Sequence, residues 1–315
     1  MDEIIGHEKA QAFFKALSEK ESLSHAYAIV GPKHVGKHPL IKHIVAEILQ
    51  CSIQKLHTHP DIVTVTQEVN KKTEKLKKHI DIEQIRTLRS YVHKRPYLGK
   101  YKVAIIDGAE KMNANAANGL LKTLEEPAAH TILFLLTHDV EALPQTIRSR
   151  VQSIYLHEVE ETKIQQALEK RNIETDLSRI YAKMARGLPG LALSWAKDSE
   201  IFNGYKKEVD RCVSLIGKPL YKKMSIVDEL FGDKTDHIST RGKLVEALSI
   251  WEMVLRDALF THSGLHEHTV HKHTQVSIPI KDILNVTKRI TEAKEGLRQN
   301  VHPKLLVEEI LIAFP

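Results

Sequence analysis

Two periodicities alternate along the first half of the chain. "EKAQAFFKALSEKE" spaces its apolar residues as one face of a helix does, "HAYAIV" is a short apolar run that stops at Gly31, and "PLIKHIVAEILQ" resumes the helical spacing. The pattern then repeats. "DIVTVTQ" alternates as a strand, "DIEQIRTLRSYVHK" is helical, and "KVAIID" is a continuous apolar strand ending in a carboxylate. "NANAANGLLKTLEE" is helical up to Pro127, and "TILFLLT" and "VQSIYL" close the series as strands. Continuous apolar strands between amphipathic helices predict a mostly parallel sheet with helices on both faces, because a strand buried on both sides has no polar face to alternate with.

After Leu156 the strand signal stops. "EETKIQQALEKRNI" and "LSRIYAKMAR" read as short helices, and Gly187, Pro189 and Gly190 break the pattern before "LALSWAKD". From about Gly204 long amphipathic helices dominate, among them "RGKLVEALSIWEMVLRDALF", "KDILNVTKRITEAKEGLRQ" and the shorter "KLLVEEILIAF". The expected organisation is three domains: α/β over residues 1–157, small and helical over 158–203, all-helical over 204–315.

A chain of 315 residues is long enough for that many cores, and 42% hydrophobic with 27% charged residues is the balance of a folded chain rather than a disordered one. The formal charge of +6 fits a polyanionic partner and fits a merely basic surface equally well. Cys51 and Cys212 are the only cysteines, so neither a disulfide framework nor a multi-cysteine zinc site can be built, and a reducing compartment is expected. The start "MDEIIGHEKAQ" lacks the basic and apolar regions of a signal peptide, and no run of about 18 apolar residues occurs; a cytoplasmic chain that neither leaves the cell nor spans a membrane is expected.

The chemistry begins at "GPKHVGKHPL". Gly31, Gly36 and Lys37 keep the Gly-x-x-x-x-Gly-Lys spacing of a phosphate-binding loop, placed between a strand and a helix so that backbone amides and the helix N-terminus face an anion. The next position, where such a loop carries the hydroxyl that binds magnesium, is His38, and a hard cation prefers oxygen. Asp107 ends the strand "KVAIID" where a magnesium-bound water is held in such proteins, yet the following position, often a Glu that orients the attacking water, is Gly108. Glu110 reads as a solvated carboxylate at a helix start. Binding of a phosphate survives these changes better than hydrolysis does.

Read together, "IIGHEKA", "SHAYAIVGPKHVGK", "HPD", "DIEQIRTLRSYVHKRPYLGKYKVAIIDGAEKMN", "NGLLKTLEEPAAHTILFLLTHD", "LPQTIRSR" and "LRQNVHPKLLVEEILIAF" closely resemble the delta-prime family of bacterial DNA polymerase III clamp-loader subunits. The likeness runs along the whole chain and is most specific between Leu120 and Arg150 and in "LRQNVHP". It implies a RecA-like AAA+ P-loop domain, a helical lid and a helical collar that joins the subunits into a ring. Ser149 and Arg150 match the family's Ser-Arg-Cys motif, with Val151 in place of the Cys. The resemblance gives Arg150 a catalytic role in trans, on a neighbouring subunit's ATP, where a guanidinium stabilises the charge of the transferring phosphoryl group.

The departures from active AAA+ members share one direction. Besides His38 and Gly108, Leu191 in "GLPGLAL" stands where an active lid carries a phosphate-sensing arginine, while Thr137 still matches the polar sensor position. A subunit without intrinsic ATPase activity is therefore expected. Its degenerate nucleotide site (Gly31, Gly36, Lys37, His38, Asp107, Thr137) is compatible with ATP or ADP held weakly and with an empty loop. The implied partners are gamma or tau and delta subunits, with the sliding clamp and primer-template DNA reached through the assembly. A gamma- or tau-like ATPase motor and a stand-alone basic DNA-binding protein are the competing readings.

No metal is expected. Family members often carry four cysteines before the "HPD" stretch, whereas Cys51, His57 and His59 lack a clear fourth ligand, and Cys51 reads as a small buried hydrophobe. The basic run from Lys71 reads as a solvated face, and the loop carrying His262, His266, His268, His271 and His273 as a flexible, pH-sensitive linker.

Overall fold

The computed structural model describes residues 4–69, 77–231, 237–271, 278–299 and 301–315, so Lys71 and His273 lie outside the described residues. The chain divides into two compact units, Met1–Leu193 and Ser194–Pro315.

The first unit runs α1 (Glu8–Glu19), β1 (Ala26–Val30), α2 (Lys37–Ile48), β2 (Ile62–Val65), α3 (Ile82–Val92), β3 (Lys102–Asp107), α4 (Ala114–Glu125), β4 (Thr131–Thr137), α5 (Gln145–Arg148), β5 (Gln152–Tyr155), α6 (Glu161–Glu169) and α7 (Thr175–Ala185). The five strands pair in parallel in the order β2-β3-β4-β1-β5. Alternate residues of each strand serve two separate cores, as the period of a strand requires. Ala28, Ala104 and Leu135 pack with Leu88 of α3 and Leu120 of α4. Tyr27, Ile105 and Phe134 pack with Phe14 of α1 and Leu40 and Ile44 of α2. The five strands and their helical flanks thus match the sequence reading. Local signals set the boundaries. Asp81 and Gln84 close a full capping box on α3, and the Asn113 side chain accepts the Ala116 N–H at the start of α4.

One buried ion pair holds the connection into β3. Asp61 and Lys102 are fully buried, with Lys102 Nζ 3.4 Å from Asp61 Oδ1 and 4.0 Å from the centroid of the Tyr91 ring. The Asp61 carboxylate also accepts the backbone N–H groups of Tyr97, Leu98 and Gly99 at 2.7, 2.8 and 3.3 Å. The "HPD" aspartate thereby fixes a loop more than thirty residues downstream.

The helix α8 (Pro189–Lys197) begins at Pro189, where the sequence pattern suggested a break. A proline at the first turn needs no N–H partner, so it starts the helix rather than interrupting it. The second unit continues with α9 (Ser199–Leu215), α10 (Leu220–Phe231), α11 (His237–His262), α12 (Ile280–Arg298) and α13 (Pro303–Ala313). Its core centres on Trp251, Leu248 and Leu255 of α11, with Ile283 and Ile290 of α12 and Val307 and Ile310 of α13.

The expected flexible histidine linker is corrected for the described part. His262 is the last residue of α11 and its ring bonds the Ile278 carbonyl. His271 is buried: its Nδ1 lies 2.8 Å from Asp257 Oδ2, its Nε2 2.8 Å from the Tyr205 hydroxyl, and its backbone N–H reaches the same carboxylate. A fully buried Asp257 needs these donors, and they draw the loop in.

Burial acts to raise the pKa of Asp257, but the bonds from the His271 ring and from the backbone N–H groups of His271 and Val270 outweigh it and hold the carboxyl below its usual value. Because the folded pKa is depressed, the stabilisation is present above the ordinary carboxylate value of about 3.9 and fades as pH falls below it. The difference in unfolding free energy between the wild type and Asp257→Ala, measured by urea titration, is expected to hold from neutral pH down to about pH 4 and to shrink as pH falls further. Asp61→Ala leaves Lys102 buried without its counter-charge and is expected to destabilise the first unit by about 3–5 kcal/mol at neutral pH in the same measurement.

Candidate functional site: the loop at the carboxyl edge of the sheet

Parallel pairing brings the predicted site residues together. The register sets Val30 beside Thr137 and Asp107 beside Leu136, so β1, β3 and β4 end along one edge. The Gly31 N–H continues the ladder to the Thr137 carbonyl at 3.2 Å. Gly31 has no room for a side chain, since a Cβ there would sit 2.7 Å from the Leu156 carbonyl oxygen. His34 (φ 66°) and Gly36 (φ 110°) turn the chain through the left-handed region, and α2 starts at Lys37 with its open N–H groups directed into the loop.

Lys37 is folded back on that loop. Its Nζ donates to the carbonyl oxygens of Gly31 at 2.6 Å and Pro32 at 2.9 Å. Burial lowers its pKa, with the charges of Glu110 and Asp107 acting in the opposite direction. His38 Nε2 lies 3.9 Å from Asp107 Oδ2, both side chains about half exposed. Burial outweighs the pull of Asp107 and moves the imidazole pKa down, so a neutral ring faces the carboxylate where a magnesium site would present a hydroxyl. Thr137 is buried and its hydroxyl donates to the Asp139 carbonyl at 2.8 Å. Gly108 (φ 77°) turns the chain out of β3 without offering a side chain.

Glu110 corrects the sequence reading. Rather than being solvated, its side chain is only 10% exposed, with Oε1 2.8 Å from His138 Nδ1 and Oε2 buried without a hydrogen bond. Burial pushes its pKa up, but the His138 bond and its own backbone N–H outweigh that and leave the carboxyl below its usual value. The tight turn after Gly108 points Glu110 at the end of β4, which spacing along the chain does not reveal.

Two further neighbours escaped the sequence reading. His7 Nε2 lies 2.8 Å from the Val35 carbonyl oxygen, and the Gly190 N–H donates to the His34 carbonyl at 2.8 Å. A Cβ on Gly190 would come within 2.9 Å of that same oxygen. His7 in "IIGHEKA" and Gly190 in "GLPGLAL" were both inside quoted motifs; the glycine's need for close backbone approach was the signal available. Leu191 follows in the first turn of α8, so that turn presents no cation at the predicted sensor position.

Arg150 stands just past α5, ion-paired to the end of α4 and hydrogen-bonded to α5 and its cap. Nη2 pairs with Glu125 Oε1 at 2.9 Å, and Nη1 donates to the Thr146 carbonyl at 3.0 Å and to Ser149 Oγ at 3.1 Å. Its side chain is 37% exposed. Cys51 is partly buried against the core under α2, and burial raises its thiol pKa.

Residues 6–160 match the family described as "DNA polymerase III, delta subunit". The DNA polymerase III subunit delta' of Pseudomonas aeruginosa is 35% identical over 154 residues, which cover 44% of this chain and 45% of that protein. The alignment therefore spans less than half of either chain. The subunit delta' of Bacillus subtilis is 25% identical over 93% of this chain and 92% of its own length. The chain resembles a delta-prime-type clamp-loader subunit. Subunits described as gamma and tau are also among its relatives. In three dimensions it superposes on a DNA polymerase III gamma-subunit-related protein from Thermotoga maritima with a TM-score of 0.53, at 16% identity, over 95% of this chain and 97% of the other. That likeness is one of fold: α/β plus all-α, a parallel five-stranded sheet of the RecA-like AAA+ type followed by helical segments.

The bond from the His138 side chain is the largest of the contacts that hold the Glu110 carboxyl down. Removing that donor in His138→Ala leaves burial opposed mainly by the Glu110 backbone N–H, so the Glu110 carboxyl should titrate higher than in the wild type, read by carbonyl NMR across the acid range.

Proposed function

We propose that this chain is a non-hydrolysing, delta-prime-like subunit of a DNA polymerase III clamp loader. The observation that carries the reading is His38 facing Asp107 at the mouth of an otherwise complete phosphate loop. The amide cradle and Lys37 are kept, while the oxygen ligand that magnesium requires is replaced by an imidazole. Gly108 and Leu191 take away the base and the lid cation in the same direction. A nucleotide would displace the Lys37 ammonium from the two loop carbonyls and be held without turnover.

In this reading the subunit completes a ring through its C-terminal helices, beside gamma or tau and delta subunits, in the cytoplasm. Arg150 acts in trans on the ATP of an adjacent motor subunit, and the assembly loads the sliding clamp on primed DNA. A cleft of about 360 Å³ between α3 and α4, lined by Arg86, Arg89 and Lys122 among others, offers cations to a nucleic-acid backbone. No helix among the described residues is long and apolar enough to cross a membrane.

The relatives described as gamma and tau favour a second reading, an active motor. Magnesium-dependent ATP turnover by the isolated chain, lost in Lys37→Ala, would establish that reading; no turnover is expected. The trans role is checked in the reconstituted loader. Arg150→Ala should lower DNA- and clamp-stimulated turnover about tenfold or more, corresponding to about 1.4 kcal/mol per tenfold, with the complex intact by gel filtration. Unchanged turnover would remove Arg150 from the chemistry.

A further inference from the structure

The guanidinium of Arg150 is already engaged in the free chain. Its Nη2 is ion-paired with Glu125, and its Nη1 donates to the Thr146 carbonyl and to Ser149 Oγ. Glu125 is the last residue of α4, next to the buried Leu124, and Arg150 follows α5, which is anchored by the fully buried Ile147. Leu124 and Ile147 belong to one hydrophobic core, so the two charges are set opposite each other by packed elements rather than by chance meeting of long side chains.

We propose that Glu125 masks Arg150 until an anionic phosphoryl group of a neighbouring subunit's nucleotide displaces it. The inference rests on the trans role given to Arg150 above and adds a competing ligand to it. A carboxylate 2.9 Å from the guanidinium cancels the charge that a phosphoryl group would use, and it repels that group in its own right. The mask has to be weak to be exchangeable, and it is: both side chains are open to solvent, 37% and 48% exposed, the regime in which an ion pair changes an equilibrium by no more than about fivefold. Neighbouring Arg148 does not compete for Glu125, because it is paired with Glu141.

Glu125→Gln removes the charge and keeps the size. In the isolated chain, the rate at which phenylglyoxal modifies Arg150, followed by peptide mass spectrometry with exposed Arg179 as internal reference, should rise about two- to fivefold. In the reconstituted loader, the same substitution should lower the ATP concentration for half-maximal turnover by a similar factor, and the gain should vanish in the Glu125→Gln/Arg150→Ala double variant. An unchanged modification rate overturns the mask itself. Faster modification with unchanged half-saturation, while Arg150→Ala still cuts turnover, overturns its bearing on the neighbour's nucleotide and leaves the trans role standing. If Arg150→Ala has no effect, the trans role falls and this inference falls with it. Glu125→Ala, checked for an unchanged melting temperature, repeats the test without an amide that could still accept from Arg150.

Discussion

Parallel pairing with a shared terminal edge is the constraint on which the first unit depends. Once β1 is flanked by β4 and β5, and β3 lies on the far side of β4, the chain that leaves each strand must do so at the same edge. The glycine loop, Asp107 and Thr137 are then neighbours, although Gly31 and Thr137 lie more than a hundred residues apart in sequence. The sheet holds that edge in place through two cores, one of which includes Val35 of the loop and neither of which includes the side chains at 37, 38, 107 or 137. The loop's shape is thus set apart from the side chains it presents, and on the proposed reading His38, Gly108 and Leu191 change its chemistry without changing its frame.

The same separation explains what the sequence made legible. The central strands β1, β3 and β4 announced themselves as apolar runs, because a strand buried on both faces has few other ways to be written, while β2 at the sheet's edge showed itself by alternation. The loop was legible because glycine is demanded at Gly31 by the Leu156 carbonyl and at Gly36 by a positive φ. Glu110 was misread because its environment is made by a turn and by the end of another strand; nothing within a few residues of it says that His138 will be 2.8 Å away. His271 was misread for a similar reason. A histidine-rich stretch between helices looks like solvent-facing linker until Asp257, fourteen residues earlier on α11, is seen to need donors. Pro189 failed differently: the residue that ends helices also starts them, and only the following turn decides which.

Ion pairs in this chain divide by solvent exposure, and the division tracks what each can do. Asp61–Lys102 and Asp257–His271 are buried, and each carboxylate also gathers backbone N–H groups from a loop. A buried carboxylate has nowhere else to find its partners, so both contacts fix loops and resist exchange. Arg150–Glu125 is exposed, where water is a ready alternative partner for both groups and the net preference for the pair is small. On the trans role proposed for Arg150, only the second kind of tether serves. A buried partner would hold it too firmly, since separation would strand a charge in the interior. With no partner, the guanidinium would be free to bind any anion in the cell. A solvent-exposed carboxylate between those limits gives a contact that a multiply charged phosphoryl group can displace and a singly charged solute displaces less readily.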